Sequence, residues 1–156
     1  MKYDDASWHS GNDFPDESPQ EYSGTHIALF MKWCFVREMA GEIHLVEEPE
    51  ATSDVILGNL SATEFFFKYC DGKLTDEDFN NAGNEFASRY YGDDGLYLSD
   101  YTDCFEELMF EAPESKHDFD VLAQVIEKRF ISGVATESEL QKFNEKNSKK
   151  PWWKLW

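Results

Sequence analysis

The sequence predicts a mainly α-helical fold with one compact, multi-helix domain. The chain has 156 residues, of which 41% are hydrophobic and 16% aromatic, which is enough apolar material for a single core. Apolar residues recur at helical spacing in several segments. Capping and turn residues separate those segments, as in CDGKLTDEDF at 70–79. We expect an irregular N-terminal arm before the helices and a basic aromatic C-terminal tail after them.

Charge divides the chain into an acidic helical domain over 1–135 and a C-terminal extension over 136–156. The extension carries five lysines and three acids, a net charge of +2. The whole chain carries −18, so −18 minus +2 leaves about −20 for the preceding part of the chain.

The segment 1–23 is acidic, rich in Ser, Gly and Pro, and without periodicity, which predicts the irregular arm. Its aromatic side chains indicate that part of it folds back onto the body: Tyr3, Trp8 and Phe14. The segment that follows, THIALFMKWCFVREMAG, is apolar nearly all round. Such a helix is normally central and buried. It predicts the core helix at 25–40, ended by Gly41.

The middle of the chain predicts four more helices. A weak pattern indicates one near 50–58, and the Ser61 capping box begins another at 62–70. Thr75 is predicted to cap a helix at 76–91, whose apolar face consists of Phe79, Ala82, Phe86 and Tyr90. A helix at 99–109 follows, although Leu96, Leu98 and Tyr101 also fit a strand. Small β elements near 42–47 or 95–99 are compatible with the pattern.

The helix within HDFDVLAQVIEKRFISG has the clearest signature. Phe119, Leu122, Val125, Ile126 and Phe130 form one apolar face. Its acids lie in the first turn and its bases in the last, as the helix dipole favours: Asp118, Asp120, Lys128 and Arg129.

The stretch CDGKLTDEDF looks like half of a calcium-binding EF-hand loop, but it lacks the ligands. With Gly72 at the sixth loop position, the first and third positions fall on Phe67 and Tyr69, and Asp78 replaces the closing Glu. We therefore interpret the stretch as a turn that follows a helix ending near Cys70.

Other signatures of chemistry are missing from the sequence. No nucleotide-binding glycine loop, Gly-x-Ser-x-Gly elbow or His-Glu-x-x-His helix occurs. The histidines are widely separated. The three cysteines, Cys34, Cys70 and Cys104, are odd in number, widely spaced and without a Cys-x-x-Cys pair, which argues against a zinc site and a disulfide framework. We therefore expect no catalytic residue, no metal site and no cofactor, and so no enzyme.

The N-terminal sequence shows no secretory signal, and no apolar run is long enough to span a bilayer. We expect a cytoplasmic protein with reduced thiols.

The negative charge predicts a basic protein partner and disfavours nucleic acid. Solubility alone would also explain it. The proposed partner contacts are six acids and three tryptophans: Asp93, Asp94, Asp100, Asp103, Glu106, Glu107, Trp152, Trp153 and Trp156.

The tail that carries the tryptophans, KKPWWKLW, has several interpretations. It could lie in a membrane interface or anchor in a partner's pocket. It could also pack back onto the acidic domain or stay disordered.

Four segments, in this order, resemble one family: KYDDASWHSGNDFP, THIALFMKW, EFFFKYCDGKLTDEDFNNAGNEFASRYY and VLAQVIEKRF. The family consists of small acidic bacterial proteins classed as a domain of unknown function. The resemblance covers approximately residues 1–131 and leaves out the tail after Gly133. It implies a bacterial, non-secreted single domain, and it brings no functional residues with it.

The leading hypothesis is therefore an immunity protein, which neutralises a basic toxin such as a nuclease whose surface must bind phosphates. One alternative is an enzyme or accessory subunit with paired carboxylates of raised pKa in a cleft. Another is an adaptor that acts through the tryptophan tail. The oligomeric state is left open.

Overall fold

The computed structural model describes residues 1–11, 14–16, 18–106 and 112–148. These residues form eight α-helices, three short 3₁₀ helices and a two-stranded antiparallel sheet. The mainly α prediction with minor β structure is confirmed. The helices are α1 Thr25–Val36, α2 Glu42–Glu47, α3 Pro49–Leu57, α4 Ala62–Tyr69, α5 Asn81–Tyr90, α6 Tyr97–Phe105, α7 Lys116–Ser132 and α8 Glu137–Ser148; the strands are β1 Lys2–Asp5 and β2 Lys73–Thr75.

Helix α1 is the centre of the core, as predicted from its apolar surface. All residues from Thr25 to Met31 are buried. Phe30 packs against aromatic side chains from α5, α6 and the adjoining segments: Phe79, Phe86, Tyr90, Tyr91 and Tyr97. Because other elements of the core surround α1, this helix needs apolar side chains on every face.

Gly41 does not end α1, contrary to the prediction. The helix ends at Val36, and Glu38 takes a left-handed conformation with φ of 61°. Gly41 is needed instead for a close approach of two chain segments. Its N–H donates to Asp78 O at 2.8 Å, and a Cβ at this position would lie 2.1 Å from Glu77 O.

The N-terminal arm is not irregular throughout. Its start forms β1, which pairs with β2 through Lys2↔Thr75, Asp4↔Leu74 and Asp5↔Lys73. The sheet joins the beginning of the chain to a segment near its middle, a pairing that local periodicity does not reveal. Of the two proposed β locations, 42–47 is helix α2. In 95–99 only Gly95 has β structure, an isolated bridge to Thr136, before α6 begins at Tyr97. Phe14 is buried as expected, whereas Trp8 is exposed.

Two helices, α2 and α3, occupy the region in which one was predicted near 50–58, with Pro49 at the start of α3. Ser61 caps α4 as predicted, and its side chain accepts from the Glu64 N–H at 3.2 Å. Thr75 caps a short 3₁₀ helix, Asp76–Asp78, rather than α5, which begins at Asn81 with Asn80 as its cap. The turn before β2 contains Asp71 and Gly72, both with positive φ.

The later helices follow the predictions more closely. Helix α6 begins at Tyr97, slightly before the predicted 99, and ends where Glu106 takes a φ of 64°. The rest of the predicted 99–109 helix lies outside the described residues. Helix α7 has a Ser115 capping box and a left-handed Gly133 at its end. Helix α8 contacts the body through a salt bridge between Glu139 and Arg89 at 2.5 Å.

None of the helices in the described residues combines the length and apolarity that crossing a membrane requires.

Candidate functional site

The exposed acids among the predicted partner contacts lie in two groups around α6. Asp93 and Asp94 are exposed before α6, and Asp103 and Glu106 are exposed at its end. Within α6, the stretch from Tyr97 to Asp103 rises about 9 Å at roughly 1.5 Å per residue. The remaining predicted residues lie outside the described part of the chain: Glu107, Trp152, Trp153 and Trp156.

Asp100 is not a surface contact, and the structure corrects this part of the prediction. Its carboxylate is buried and accepts from Arg129 Nε at 2.9 Å, Arg129 Nη2 at 3.0 Å and the Tyr90 hydroxyl at 2.8 Å. This network ties α5, α6 and α7 together. Asp94 also has an internal role, because its Oδ2 accepts from the Ser138 hydroxyl at 2.7 Å at the start of α8.

A different acidic surface lies on α2, α3 and α4, and we call it the α2–α4 groove. It has a volume of about 630 Å³. Five acids and a single lysine are among its lining residues, which are Glu47, Glu48, Pro49, Glu50, Ala51, Asp54, Leu60, Glu64, Phe65, Lys68 and Tyr69.

The helices that form the α2–α4 groove also expose large apolar side chains. Leu45 is 55% exposed, and Val46 and Leu57 are each 68% exposed. Single exposed apolar residues are ordinary on protein surfaces. All three lie on α2 or α3, the helices that also carry Glu47, Glu50 and Asp54 of the groove.

A buried histidine holds the α2–α4 groove in shape. His44 Nε2 lies 2.7 Å from Asp78 Oδ1, and its Nδ1 lies 2.8 Å from Glu48 Oε1. Glu48 joins α2 to α3, and its carbonyl accepts from the Thr52 hydroxyl at 2.8 Å. Burial lowers the pKa of His44, but the two carboxylates outweigh it and raise the pKa above 6.5. The His44 network therefore fixes the helix junction that presents the groove acids.

Cys70 adjoins the His44 network, so the turn CDGKLTDEDF does contribute to a polar cluster. Its Sγ lies 3.9 Å from His44 Nε2, and with Asp78 these residues could hold a metal ion. Burial and the nearby Asp78 raise the pKa of the Cys70 thiol far above its usual value, so the thiol stays protonated when no ion is bound.

A second buried cluster consists of Asp4, His9 and His26, and it could also hold a metal ion. Asp4 is on β1, His9 follows the first 3₁₀ helix and His26 is in the first turn of α1. His9 Nε2 lies 2.7 Å from Asp4 Oδ1, and His26 Nε2 lies 3.6 Å from Asp4 Oδ2. The two imidazole rings have centroids 4.4 Å apart.

The ionisation of the second cluster favours a carboxylate and a neutral imidazole. Burial raises the pKa of Asp4, but His26, His9 and Tyr91 outweigh it and hold the pKa well below its usual value. Burial lowers the pKa of His26, more than Asp4 raises it. A carboxylate and a neutral imidazole are the forms in which these groups bind metals.

Sequence reasoning missed both clusters, because it treated the four histidines as separate. Two of them, His9 and His26, belong to different elements and meet only when the N-terminal arm packs beside α1. One signal was present in the sequence: His26 stands in a helix predicted to be buried on all sides. A polar side chain in such a helix needs a partner.

Comparison with known proteins supplies a family for this helical protein. Residues 2–115 match a family described as a domain of unknown function, DUF7832, and the chain belongs to that family. The match ends at 115, earlier than the 131 expected from the resemblance. Neither a curated protein nor a solved structure matches the chain.

Proposed function

We propose that this protein is a non-catalytic binding protein that captures and neutralises a basic protein through the α2–α4 groove. The role is that of an immunity protein acting against a basic bacterial toxin such as a nuclease. The observation that carries the proposal is the concave, acid-lined groove on helices that also expose apolar side chains.

Charge supports the choice of partner. The chain carries a net charge of −18, and five of its acids line one groove. A field of this sign accelerates encounter with a basic protein and opposes contact with nucleic acid. A nuclease fits because its own surface must be basic to bind phosphates.

Apolar contacts and rigidity support a stable complex rather than a transient encounter. Leu45, Val46 and Leu57 can enter a dry interface, where buried apolar anchors contribute most of the affinity. The His44 network fixes the junction of α2 and α3 before binding. A preformed surface loses less conformational entropy on association.

The two alternatives have less support from the described residues. The hypothesis of an enzyme with a carboxylate site requires paired acids whose pKa values are raised. Among the described residues, the acids whose pKa shifts all have lowered values: Asp4, Asp5, Asp76 and Glu139. The adaptor hypothesis concerns residues 149–156, which lie outside the described part of the chain, and it stays a prediction.

The test compares two variants that each remove three negative charges. The groove variant is Glu47→Gln, Glu50→Gln and Asp54→Asn. The control variant is Asp93→Asn, Asp103→Asn and Glu106→Gln, which neutralises exposed acids of the sequence-predicted set. Wild-type bait captures its partner from the cells that produce it at low salt. The partner is then purified, and its association rate with each variant is measured across salt concentrations.

We expect a basic partner whose association rate falls about 10-fold at low salt for the groove variant and less than about 2-fold for the control. The partner's own activity, such as DNA cleavage, should be inhibited at a 1:1 ratio by the wild type. Equal losses for the two variants would assign the effect to total charge and reject the groove. Recovery of no basic partner would reject the proposal.

A further inference from the structure

We propose that Asp4, His9 and His26 form a binding site for a first-row divalent transition metal ion, for which Zn²⁺ is the simplest occupant. Two imidazoles and one carboxylate are a ligand set that zinc and iron(II) sites use, with further coordination positions left open. This site is separate from the α2–α4 groove, and its test does not depend on the proposed function.

The spacing of the three side chains allows them to bind one shared ion. Bonds of about 2.0–2.2 Å from one ion place neighbouring donor atoms roughly 3–3.5 Å apart. The two measured separations lie on either side of that range: 2.7 Å from His9 Nε2 to Asp4 Oδ1, and 3.6 Å from His26 Nε2 to Asp4 Oδ2. Ligand atoms of all three residues lie within 4.8 Å of one another. Small side-chain adjustments would therefore complete the coordination.

His26 is the strongest argument for a ligand. Its side chain is fully buried, and neither ring nitrogen has a hydrogen-bond partner among the described residues. A buried polar atom without a partner destabilises the fold. Because Nε2 faces Asp4 across a gap too long for a hydrogen bond, an ion between them would give that nitrogen a partner.

The surrounding residues orient the ligands as outer-shell groups do in metal sites. The Tyr91 hydroxyl donates to Asp4 Oδ2 at 2.5 Å, and the Asp5 N–H donates to Asp4 Oδ1 at 2.8 Å. Tyr97 donates to the backbone carbonyl of His26. Such partners fix the ligand geometry and tune the affinity for a bound ion.

An ion can reach the site from solvent. Asp4, His9 and Tyr91 line a cavity of about 320 Å³, together with Trp8 and Asp93 among others. The His9 side chain is 16% exposed, and the net charge of −18 favours the approach of cations. Three protein ligands leave a fourth position for water or a small molecule.

The test titrates the chelator-treated full chain with Co²⁺, whose visible absorption reports the ligands, and then displaces Co²⁺ with Zn²⁺. His9→Gln and His26→Leu each remove one ligand. His117→Gln is the matched control, because His117 is exposed on α7. Cys70→Ser distinguishes the His44 cluster, which would add a thiolate charge-transfer band in the near ultraviolet. Circular dichroism and thermal unfolding verify that each variant folds.

We expect one Co²⁺ per wild-type chain, at least about 100-fold weaker binding in His9→Gln and His26→Leu, and a change below about 2-fold in the two controls. Tyr91→Phe should weaken binding by about 10–100-fold, the usual effect of losing an outer-shell partner. His9 is partly exposed, so His9→Gln keeps the test decisive if His26→Leu does not fold. The proposal is overturned by the absence of saturable binding, by unchanged binding in His9→Gln, or by loss of binding in Cys70→Ser.

Discussion

The two buried clusters each combine histidine with a carboxylate, but their most buried histidines differ in hydrogen bonding. Both nitrogens of His44 lie within 2.8 Å of a carboxylate oxygen, whereas neither nitrogen of His26 has a partner among the described residues. A closed cluster of the first kind stabilises the fold. An open cluster of the second kind costs stability unless something else completes it. Hydrogen bonding therefore separates structural histidines from candidate ligands without reference to sequence motifs.

The difference arises from what the carboxylates contact. Glu48 follows His44 at the i+4 position, on the same side of the helix turn, and Asp78 approaches from the chain segment that Gly41 admits. Asp4, by contrast, already accepts from the Asp5 N–H and Tyr91 and contacts His9. His26 is left at 3.6 Å from Asp4 Oδ2.

The same substitution in the two clusters should have very different effects. His44→Leu takes the histidine away from Glu48 and from the buried Asp78, whose Oδ2 keeps only the Thr75 N–H as a hydrogen-bond donor among the described residues. It should lower the free energy of unfolding by about 3–5 kcal/mol. His26→Leu conserves volume and removes only the 3.6 Å contact with Asp4, so it should change that free energy by less than about 1.5 kcal/mol. Urea unfolding in the presence of a chelator measures both. Similar losses for the two variants would contradict the comparison.

Gly41→Ala should disturb the closed cluster through the backbone. The added methyl would overlap Glu77 O, beside the Asp78 carbonyl that accepts from Gly41 N–H. Overpacking of this kind costs about 1–3 kcal/mol, and the free energy of unfolding should fall accordingly. Gly11→Ala is the matched control, because among the described residues no atom beyond its chain neighbours lies within 4 Å of the added Cβ. If Gly41→Ala were as stable as that control, the close approach would not explain the position of Asp78.

The charge on His44 should make stability depend on pH. Burial opposes that charge, but Asp78 and Glu48 raise the folded-state pKa above the ordinary 6.5, while Cys70 beside it stays a neutral thiol. The contribution of His44 to the free energy of unfolding is therefore fully present below about pH 6.5, and it is lost as the pH rises through the folded-state pKa. Unfolding free energies of the wild type minus His44→Leu, measured from about pH 5.5 to 8.5, should decrease in that direction. A difference that grew with pH would mean that His44 is neutral in the fold.

Local signals in the sequence predicted the helices best. The core helix α1 follows from its all-round apolar surface, α4 from the Ser61 cap, and α7 from its apolar face and the charges in its end turns. Each of these features depends on residues within a few turns of one another. The error at Gly41 has the same origin, because Glu77 and Asp78, which crowd Gly41, lie several helices further along the chain.

The candidate sites depend on contacts between distant segments, so sequence patterns did not reveal them. Asp4 meets His26 only because β1 pairs with β2 and packs beside α1. Asp100 looks in the sequence like one surface acid among many, and only the packing of α6 on α7 pairs it with Arg129. Composition predicted the sign of a partner's charge, but the position of the groove required the packing of α2, α3 and α4.

The most direct test of the contrast between the clusters is a crystal of the protein soaked in Zn²⁺, with diffraction recorded above and below the zinc absorption edge. We predict one anomalous peak bounded by Asp4, His9 and His26, and no peak beside His44. A peak between His44, Cys70 and Asp78, or no peak at Asp4, would contradict the contrast.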